Sequence, residues 1–366
     1  MLLSASAHAL FLRRSMPITL LNRLLRNAQR EAAGQPDAVW HATIARLHTL
    51  AVAGDSPELE PAEVERHITE AVAGYRRALA LEERAIFFHG LGYAYEEALR
   101  RNVTAAGPAP RLREQAVAAY LSAQARAGSE PERLHHRPGF LDTVDSQTQL
   151  ALMRISSFFG KKEDKGKAPK GGNGKNKGTA DEGNEKGKKG KKGKDKSKPG
   201  HDEIETPVIF GAADSVEGLL DVERTVSFDI AGDGIPRRWP WVRPTTGILV
   251  WDPANSGQIT SGRQLFGSVT WWIFWNDGYR ALSALDDNGD GWLSGPELDG
   301  IGVWYDRNSN GISEPGEVHP CGQAGVLRIA ARAQRGPDGV LTHPGGVILG
   351  NKILPSFDWL VAPVRE

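Results

Sequence analysis

The sequence predicts a multidomain chain: an all-α N-terminal domain, a disordered Lys/Gly linker, and an α+β, mainly-β C-terminal domain. Three observations predict it. From 17 to 160 the apolar residues recur at helical spacing, and no stretch alternates with period two. Between Lys161 and Gly200 there are 15 Lys against 6 Asp or Glu, whereas only Lys352 is found elsewhere. After Thr206 come nine of the ten Trp, many Gly, and short apolar runs bounded by turn residues. The expected boundaries are 1–16 for a leader or flexible N-terminus, 17–160 for the helical domain, 161–204 for the linker and 205–366 for the Trp-rich domain.

The helical elements follow in order. Pro17 stands where a first-turn proline is tolerated. Leu20, Leu21, Leu24 and Leu25 give one stripe, and Gly34 ends it. Further helices are expected at Asp37–Val52, Pro61–Leu81, Arg84–Arg101, Pro110–Ala127 and Asp145–Phe159. Within them "FHGLGYAY" places Phe88, Leu91, Gly92 and Tyr95 at a fixed spacing. "AVAAYLSA" adds Ala116, Tyr120 and Ala123, and the same half-pattern occurs earlier at Ala71, Tyr75 and Ala78. This pattern resembles the tetratricopeptide repeat, with small Gly92 and Ala71 letting paired helices approach. About a dozen extra residues between Tyr95 and Ala116 depart from it. The resemblance implies a protein partner for this domain; the bland alternative is an Ala-rich helical bundle.

The Lys/Gly segment has no aromatic residue and one β-branched residue, Thr179, so it cannot bury enough surface to order itself. It reads as a self-repelling linker. The sharper reading is a polyanion-binding patch over 161–200, but no aromatic residues interleave to stack on bases.

In the last segment "PVIFG", "RTVSFDI", "GILVW", "VTWWIFW", "VLRIAARA" and "GVILG" read as strands. "DGYRALSAL" and "GPELDGIGVWY" read as helices. Trp271, Trp272, Ile273, Phe274 and Trp275 suit a strand buried on both faces better than an exposed carbohydrate platform.

Two dodecamers carry chemistry. "DDNGDGWLSGPE" fills positions 1, 3, 5, 7, 9 and 12 with Asp286, Asn288, Asp290, Trp292, Ser294 and Glu297. Gly291 is at position 6 and Leu293 is the apolar anchor at 8. "DRNSNGISEPGE" fills them with Asp306, Asn308, Asn310, Ile312, Glu314 and Glu317, with Gly311 at position 6. An EF-hand-type Ca²⁺ loop needs oxygens at those positions, a backbone carbonyl at 7 and a glycine at the sharp turn. Oxygen donors without Cys or His favour Ca²⁺ over zinc or copper. The second loop has neutral Asn at two ligand positions and is expected to bind more weakly, partly offset by Glu314. Its apolar anchor is expected to move from position 8, Ser313, to Ile312. The bland reading of both is an Asx-rich turn. Only "LDGIGVWY" separates them, so one short shared helix is expected, a layout closer to a dockerin than to an ordinary EF-hand pair.

"VSFDIAGDGIPRRW", "TGILVWDPANSGQITSGRQLFG", "DGYRALSALDDNGDG" and "VWYDRNSNGISEPGEV" follow one another in an order that resembles calcium-binding regions of bacterial repeats-in-toxin type. The resemblance covers about Val226 to Val326. It makes Asp229, Asp233 and Asp252 secondary metal candidates, with Ala231 and Gln264 standing where oxygens or acids are usual. Glycine-rich nonapeptides are absent, so no toxin function is implied.

Composition sets the remaining limits. Of 366 residues 40% are hydrophobic and formal net charge is zero, but from Glu205 onward 20 acids face 12 Arg or Lys. The single cysteine, Cys321, excludes an intrachain disulfide and a cysteine zinc cage. No run of apolar residues is long enough for a membrane span. Arg13 and Arg14 follow the first apolar stretch, the reverse of a secretory signal. Calcium chemistry favours an extracellular or cell-surface location, and the missing signal favours the cytoplasm. No nucleophile elbow, phosphate loop or zinc-protease motif occurs, and His135 with His136 reads as a solvated pair, so no enzyme is expected. The expected function is non-enzymatic Ca²⁺ binding in paired loops, with a helical domain for protein interaction. The alternatives are a cytosolic scaffold with stabilising Ca²⁺ and a surface adhesion module using the basic linker.

Overall fold

The computed structural model describes residues 17–34, 36–53, 59–127, 205–273, 275–336 and 339–364, with Thr148, Gln149, Ala151, Leu152 and Ile155. The expected leader, the linker 161–204, His135, His136 and Phe274 lie outside the described residues. So does most of the expected sixth helix; the five positions described there are helical.

Five helices form where the periodicity placed them: α1 (Ile18–Gly34), α2 (Ala38–Val52), α3 (Pro61–Leu81), α4 (Ala85–Arg100) and α5 (Ala109–Ala127). Asp37 caps α2 by accepting a hydrogen bond from the Trp40 amide at 2.7 Å. Pro61 opens α3 in the first turn, and Glu63 reaches back to the Glu60 amide at 3.1 Å. Successive helices pack pairwise. Small residues allow it. A Cβ on Gly92 would lie 2.7 Å from the Tyr120 ring, and one on Gly90 would overlap Tyr75. Tyr120 is fully buried and its hydroxyl donates to Glu96 at 2.8 Å, so the ring cannot give way. Buried Glu97 pairs with Arg100 at 2.6 Å and Arg101 at 3.2 Å, as a buried charge requires.

The C-terminal region is mainly β. Its strands are β1 (Val208–Phe210), β2 (Leu220–Phe228), β3 (Arg237–Val242), β4 (Gly247–Trp251), β5 (Trp292–Ser294), β6 (Ile301–Trp304), β7 (Val318–Pro320), β8 (Val326–Ala330), β9 (Gln334–Arg335), β10 (Leu341–Leu349) and β11 (Lys352–Asp358). Two short helices interrupt them, α6 (Gly278–Ser283) and α7 (Cys321–Ala324). The nine-stranded sheet runs β5-β8-β10-β11-β1-β4-β6-β7 with β9 beside β10, and β2 with β3 makes a separate hairpin. The sheet must curl. β5 and β6 stand first and seventh in the order, roughly 29 Å apart in a flat sheet. The chain from Ser294 to Ile301 spans at most roughly 25 Å fully extended. It is shorter still, because Gly295–Leu298 is a 3-10 turn.

Two expectations are corrected here. The segment between the dodecamers is not a shared helix. The 3-10 turn stops at Asp299, Gly300 takes φ +84°, and Ile301–Trp304 becomes a buried strand between β4 and β7. Burial on both faces favours a strand for Ile, Val and Trp. "VTWWIFW" is not a strand either: Thr270–Trp272 forms a 3-10 turn, with Trp271 and Trp272 at positive φ. The core reading of its rings does hold. Trp271, Trp272 and Trp275 are buried, and Trp271 meets Trp251 edge-on at 5.5 Å.

The helical and β regions share apolar cores. α1 and α2 contribute Leu21, Leu24, Trp40 and Leu47 to the cluster that holds Phe266, Leu285, Leu293 and Ile329. Trp40 meets Trp275 edge-on at 6.2 Å. A second β-side cluster gathers Phe228, Trp239, Trp241, Trp304 and Trp359.

Two predictions follow from the helical packing. Gly92→Ala drives a methyl group into a ring that cannot move, and is expected to destabilise by about 1–3 kcal/mol in chemical denaturation. The second concerns buried His48 and His67, whose Nδ1 atoms lie 2.9 Å apart. Burial, then neighbouring positive charge, lowers His48 to about 3 and His67 to about 4. The unfolded imidazoles take protons near 6.5. Below that pH the unfolded chain binds more protons, so this stability is complete above about pH 6.5 and drains as pH falls toward 4. Melting temperatures between pH 7.5 and 4.5 should fall accordingly, and less steeply in His48→Leu/His67→Phe.

Candidate metal centre

Each dodecamer starts with a buried aspartate that organises its own turn. Asp286 accepts from the amides of Gly289 at 2.7 Å and Gly291 at 2.9 Å. Asp306 accepts from Asn310 at 3.1 Å and Gly311 at 2.7 Å. Positions 4 and 6 are left-handed in both: Gly289 and Gly291, then Ser309 and Gly311. Glycine suits that conformation at position 6, where a Cβ on Gly311 would also meet Val226 at 2.8 Å. The position 5 side chain then accepts from the position 7 amide, Asp290 from Trp292 at 2.8 Å and Asn310 from Ile312 at 2.7 Å.

The closing glutamates behave alike. One oxygen of Glu297 accepts from Asp287 at 2.7 Å and the other from Ser294 at 3.0 Å. Glu317 takes Arg307 at 2.8 Å and Glu314 at 3.1 Å, the same positions 2 and 9. Asp286, Glu297, Asp306 and Glu317 are 0, 6, 0 and 5% exposed. None of the four is in an ion pair among the described residues. Each loop therefore buries two carboxylates that no ion pair neutralises, an arrangement that a bound cation would stabilise.

The other positions surround them. Asn288 and Asp290 are exposed at the lip of loop one, where Asp290 lies 3.6 Å from Arg328. The Trp292 ring meets His343 edge-on at 5.1 Å, and Ser294 caps the 3-10 turn that carries Glu297. In loop two the amides of Asn308 and Asn310 donate to Glu314 at 2.6 and 3.3 Å, so positions 3, 5 and 9 converge. Ile312 is 60% exposed and anchors nothing, which corrects that expectation. Ser313 is the buried residue, and its hydroxyl accepts from the Ile259 amide at 2.8 Å.

The loops do not pair with each other. Leu293 of loop one lies across from Ile329 in β8. Ser313 of loop two faces Ile259, which is position 8 of a stretch starting at Asp252. That stretch keeps the turn without the full donor set. Asp252 accepts from Ser256 at 3.0 Å and Gly257 at 2.8 Å, and Asn255 and Gly257 are left-handed. Asp229 does the same with Asp233 at 3.1 Å and Gly234 at 3.2 Å, with Gly232 and Gly234 left-handed. These are the two phrases of the secondary candidates. Both have Ala at position 3, Ala231 and Ala254, and Pro240 and Arg263 replace the closing glutamate. Asp233 is in an ion pair with Arg237 at 2.7 Å.

Among the described residues no three Asp, Glu, His or Cys side chains converge as a metal-holding group. Each dodecamer brings two buried carboxylates, and its other donors would be amide, hydroxyl, carbonyl and water oxygens. Such an all-oxygen set suits a hard cation that accepts many weak ligands.

Burial raises the Asp306 pKa, and the charge of Glu317 adds to this, while the Gly311, Asn310 and Trp241 donors oppose it. A raised carboxyl contributes stability below its unfolded pKa and loses it as pH rises through the folded value. Trp241, itself buried, donates to Asp306 at 2.6 Å. Trp241→Phe removes a donor to a buried carboxylate and is expected to cost about 1.5–3 kcal/mol near neutral pH in urea unfolding. The loss should shrink under acid conditions that protonate Asp306.

Residues 213–342 match the SPM domain family. The chain is also 34% identical over 107 residues to the iron-regulated protein FrpA of Neisseria meningitidis serogroup C, a stretch that is 28% of this chain and 10% of that protein. The chain thus spans about a tenth of the length of that relative. Among the described residues no helix is long and apolar enough to cross a membrane.

Proposed function

We propose that this chain is a non-enzymatic calcium-binding protein whose two dodecamers, 286–297 and 306–317, each take one structural Ca²⁺ in the manner of EF-hand loops. One observation carries the reading: each loop buries a first-position aspartate and a twelfth-position glutamate whose carboxylates form no ion pair among the described residues. Ca²⁺ neutralises that pair and ties the loop's open lip to its floor. Asp286, Asn288, Asp290, the Trp292 carbonyl, Ser294 and Glu297 would hold the first ion. Asp306, Asn308, Asn310, the Ile312 carbonyl, Glu314 and Glu317 would hold the second. Loop one runs through a 3-10 turn into buried β6 and loop two runs into half-buried β7, so no long helix leaves either loop, which favours a permanent structural ion over a sensor that opens.

The helical region acts as a tetratricopeptide-like surface for a protein partner. The close approach of Gly92 to Tyr120 and of Gly90 to Tyr75 supports that pairing of helices. A polyanion ligand of residues 161–200 belongs to the adhesion alternative, and a stabilising ion in a cytosolic scaffold to the other.

Tb³⁺ tests the metal reading, because Trp292 at position 7 lies within the first loop and can sensitise its emission. Two ions are expected to bind. Glu297→Gln should weaken the sensitised site at least roughly tenfold, since losing even an outer-shell partner does that much. Asp229→Asn and Asp252→Asn should leave the stoichiometry at two. Unchanged emission and melting temperature in Glu297→Gln would sink the proposal.

A further inference from the structure

The first loop is held from outside by a helix more than 250 residues earlier in the chain. On α1, Arg23, Asn27 and Arg30 stand at i, i+4 and i+7, one stripe of a helix. Together they grip four consecutive residues. Asn27 Nδ2 donates to the Ala284 carbonyl at 3.0 Å, and Arg23 Nη2 to the Leu285 carbonyl at 2.7 Å. Arg30 donates to the carbonyls of Asp286 and of Asp287, the latter at 2.7 Å. The Asp287 carboxylate accepts from Arg23 at 3.0 Å and Asn27 at 2.8 Å. Arg30 also lies over position 4, so that a Cβ on Gly289 would come 3.1 Å from its Nε.

These carbonyls follow the end of α6, where a helix leaves acceptors without internal partners. The side chains of α1 supply the donors. The apolar stripe of α1 reinforces the contact: Leu21, Leu24 and Ala28 are fully buried in the same cluster as Leu282, Leu285 and Leu293. After loop one the chain continues as a 3-10 turn and a strand, so no exit helix flanks the loop in sequence. α1 provides the second helix against it. Loop two makes no such contact; its neighbours are Trp241, Val242 and Ile259.

We infer that α1 is a calcium-dependent clasp: ion binding at 286–297 and docking of α1 on that loop are coupled, so that losing the ion loosens α1 and uncovers its leucine stripe. This rests on the calcium reading above. Arg23, Asn27 and Arg30 fix the backbone at positions 1 and 2, from which the Asp286 side chain is presented, and an ordered loop in turn keeps those carbonyls in place for α1. Coupling is reciprocal, so whatever factor α1 adds to ion affinity, the ion adds to α1 docking.

The test is hydrogen exchange on the full chain with and without Ca²⁺, beside Tb³⁺ titration. Ca²⁺ should slow amide exchange across residues 18–34 in the wild-type chain and not in Glu297→Gln. Arg23→Ala/Arg30→Ala should weaken Trp292-sensitised Tb³⁺ binding about fivefold or more, the lower end of ordinary coupling. Glu317→Gln, in the loop α1 does not touch, should leave the protection of α1 in place; its loss there would mean a general stability effect and overturn the clasp. Sensitised Tb³⁺ emission with α1 exchange indifferent to the ion also overturns the clasp and leaves the calcium reading standing. No Tb³⁺ emission from the wild-type chain overturns both. If the double arginine variant fails to fold, the comparison of wild type with Glu297→Gln still decides the matter.

Discussion

A carboxylate buried against backbone amides is the constraint on which the C-terminal region depends. It occurs at Asp229, Asp252, Asp286 and Asp306, each time accepting from the amide of a left-handed residue five positions later. Two of these turns close pairs of strands that are also hydrogen-bonded to each other, β2 with β3 and β6 with β7. The turn at Asp286 carries the chain from α6 into β5, at one edge of the nine-stranded sheet. The turn at Asp306 carries it from β6 toward β7, at the other. The curled sheet is therefore bounded at both edges by loops with the same internal hydrogen bonds.

The two complete loops answer to different cores. Leu293 of the first is buried among α1, α2 and Ile329. The second sits on the Trp cluster through the Trp241 donor to Asp306 and through neighbouring Trp304. Order in the first loop is thus felt by the helical region, and order in the second by the tryptophan core. The helical region is no independent appendage, because Trp40 and the leucines of α1 complete an apolar cluster whose other half is β-sheet. Arg46 extends the contact by donating to the Trp272 carbonyl at 3.2 Å.

Much of this was legible in the sequence, for definite reasons. The helices from Ile18 to Ala127 appear within a residue or two because their leucine and alanine stripes, Asp37 and Pro61 are local signals. The dodecamers were legible because an Asp at 1, a Gly at 6 and a Glu at 12 act within one turn of chain. The strand Ile301–Trp304 was misread as a helix, since four apolar residues carry no period and only pairing with β4 and β7 decides. Trp271 and Trp272 were misread as strand because positive φ at tryptophan has no sequence signal. The partnership of Ser313 with Ile259 and the grip of Arg23, Asn27 and Arg30 join residues far apart in the chain. Asn27 gave one clue: a polar residue within a leucine stripe must find a partner once buried, and it finds Ala284 and Asp287.

The incomplete turns separate two tasks that the complete loops combine. Asp229 and Asp252 still take amides and still set the left-handed pair, so one carboxylate is enough to organise the turn. What they lack is the second buried carboxylate. Pro240 and Arg263 stand at position 12, and Ala231 and Ala254 at position 3. A single carboxylate satisfied by amides has no like charge from a closing glutamate, and at Asp233 the guanidinium of Arg237 already supplies the positive charge. At Asp286 and Asp306 a glutamate returns to the same turn, and neither carboxylate of the pair is in an ion pair among the described residues. What distinguishes the two dodecamers from the incomplete turns is therefore a second buried carboxylate. On the proposed calcium reading, that second charge is what an ion would neutralise, and it gives the ion its leverage over whatever packs against the loops.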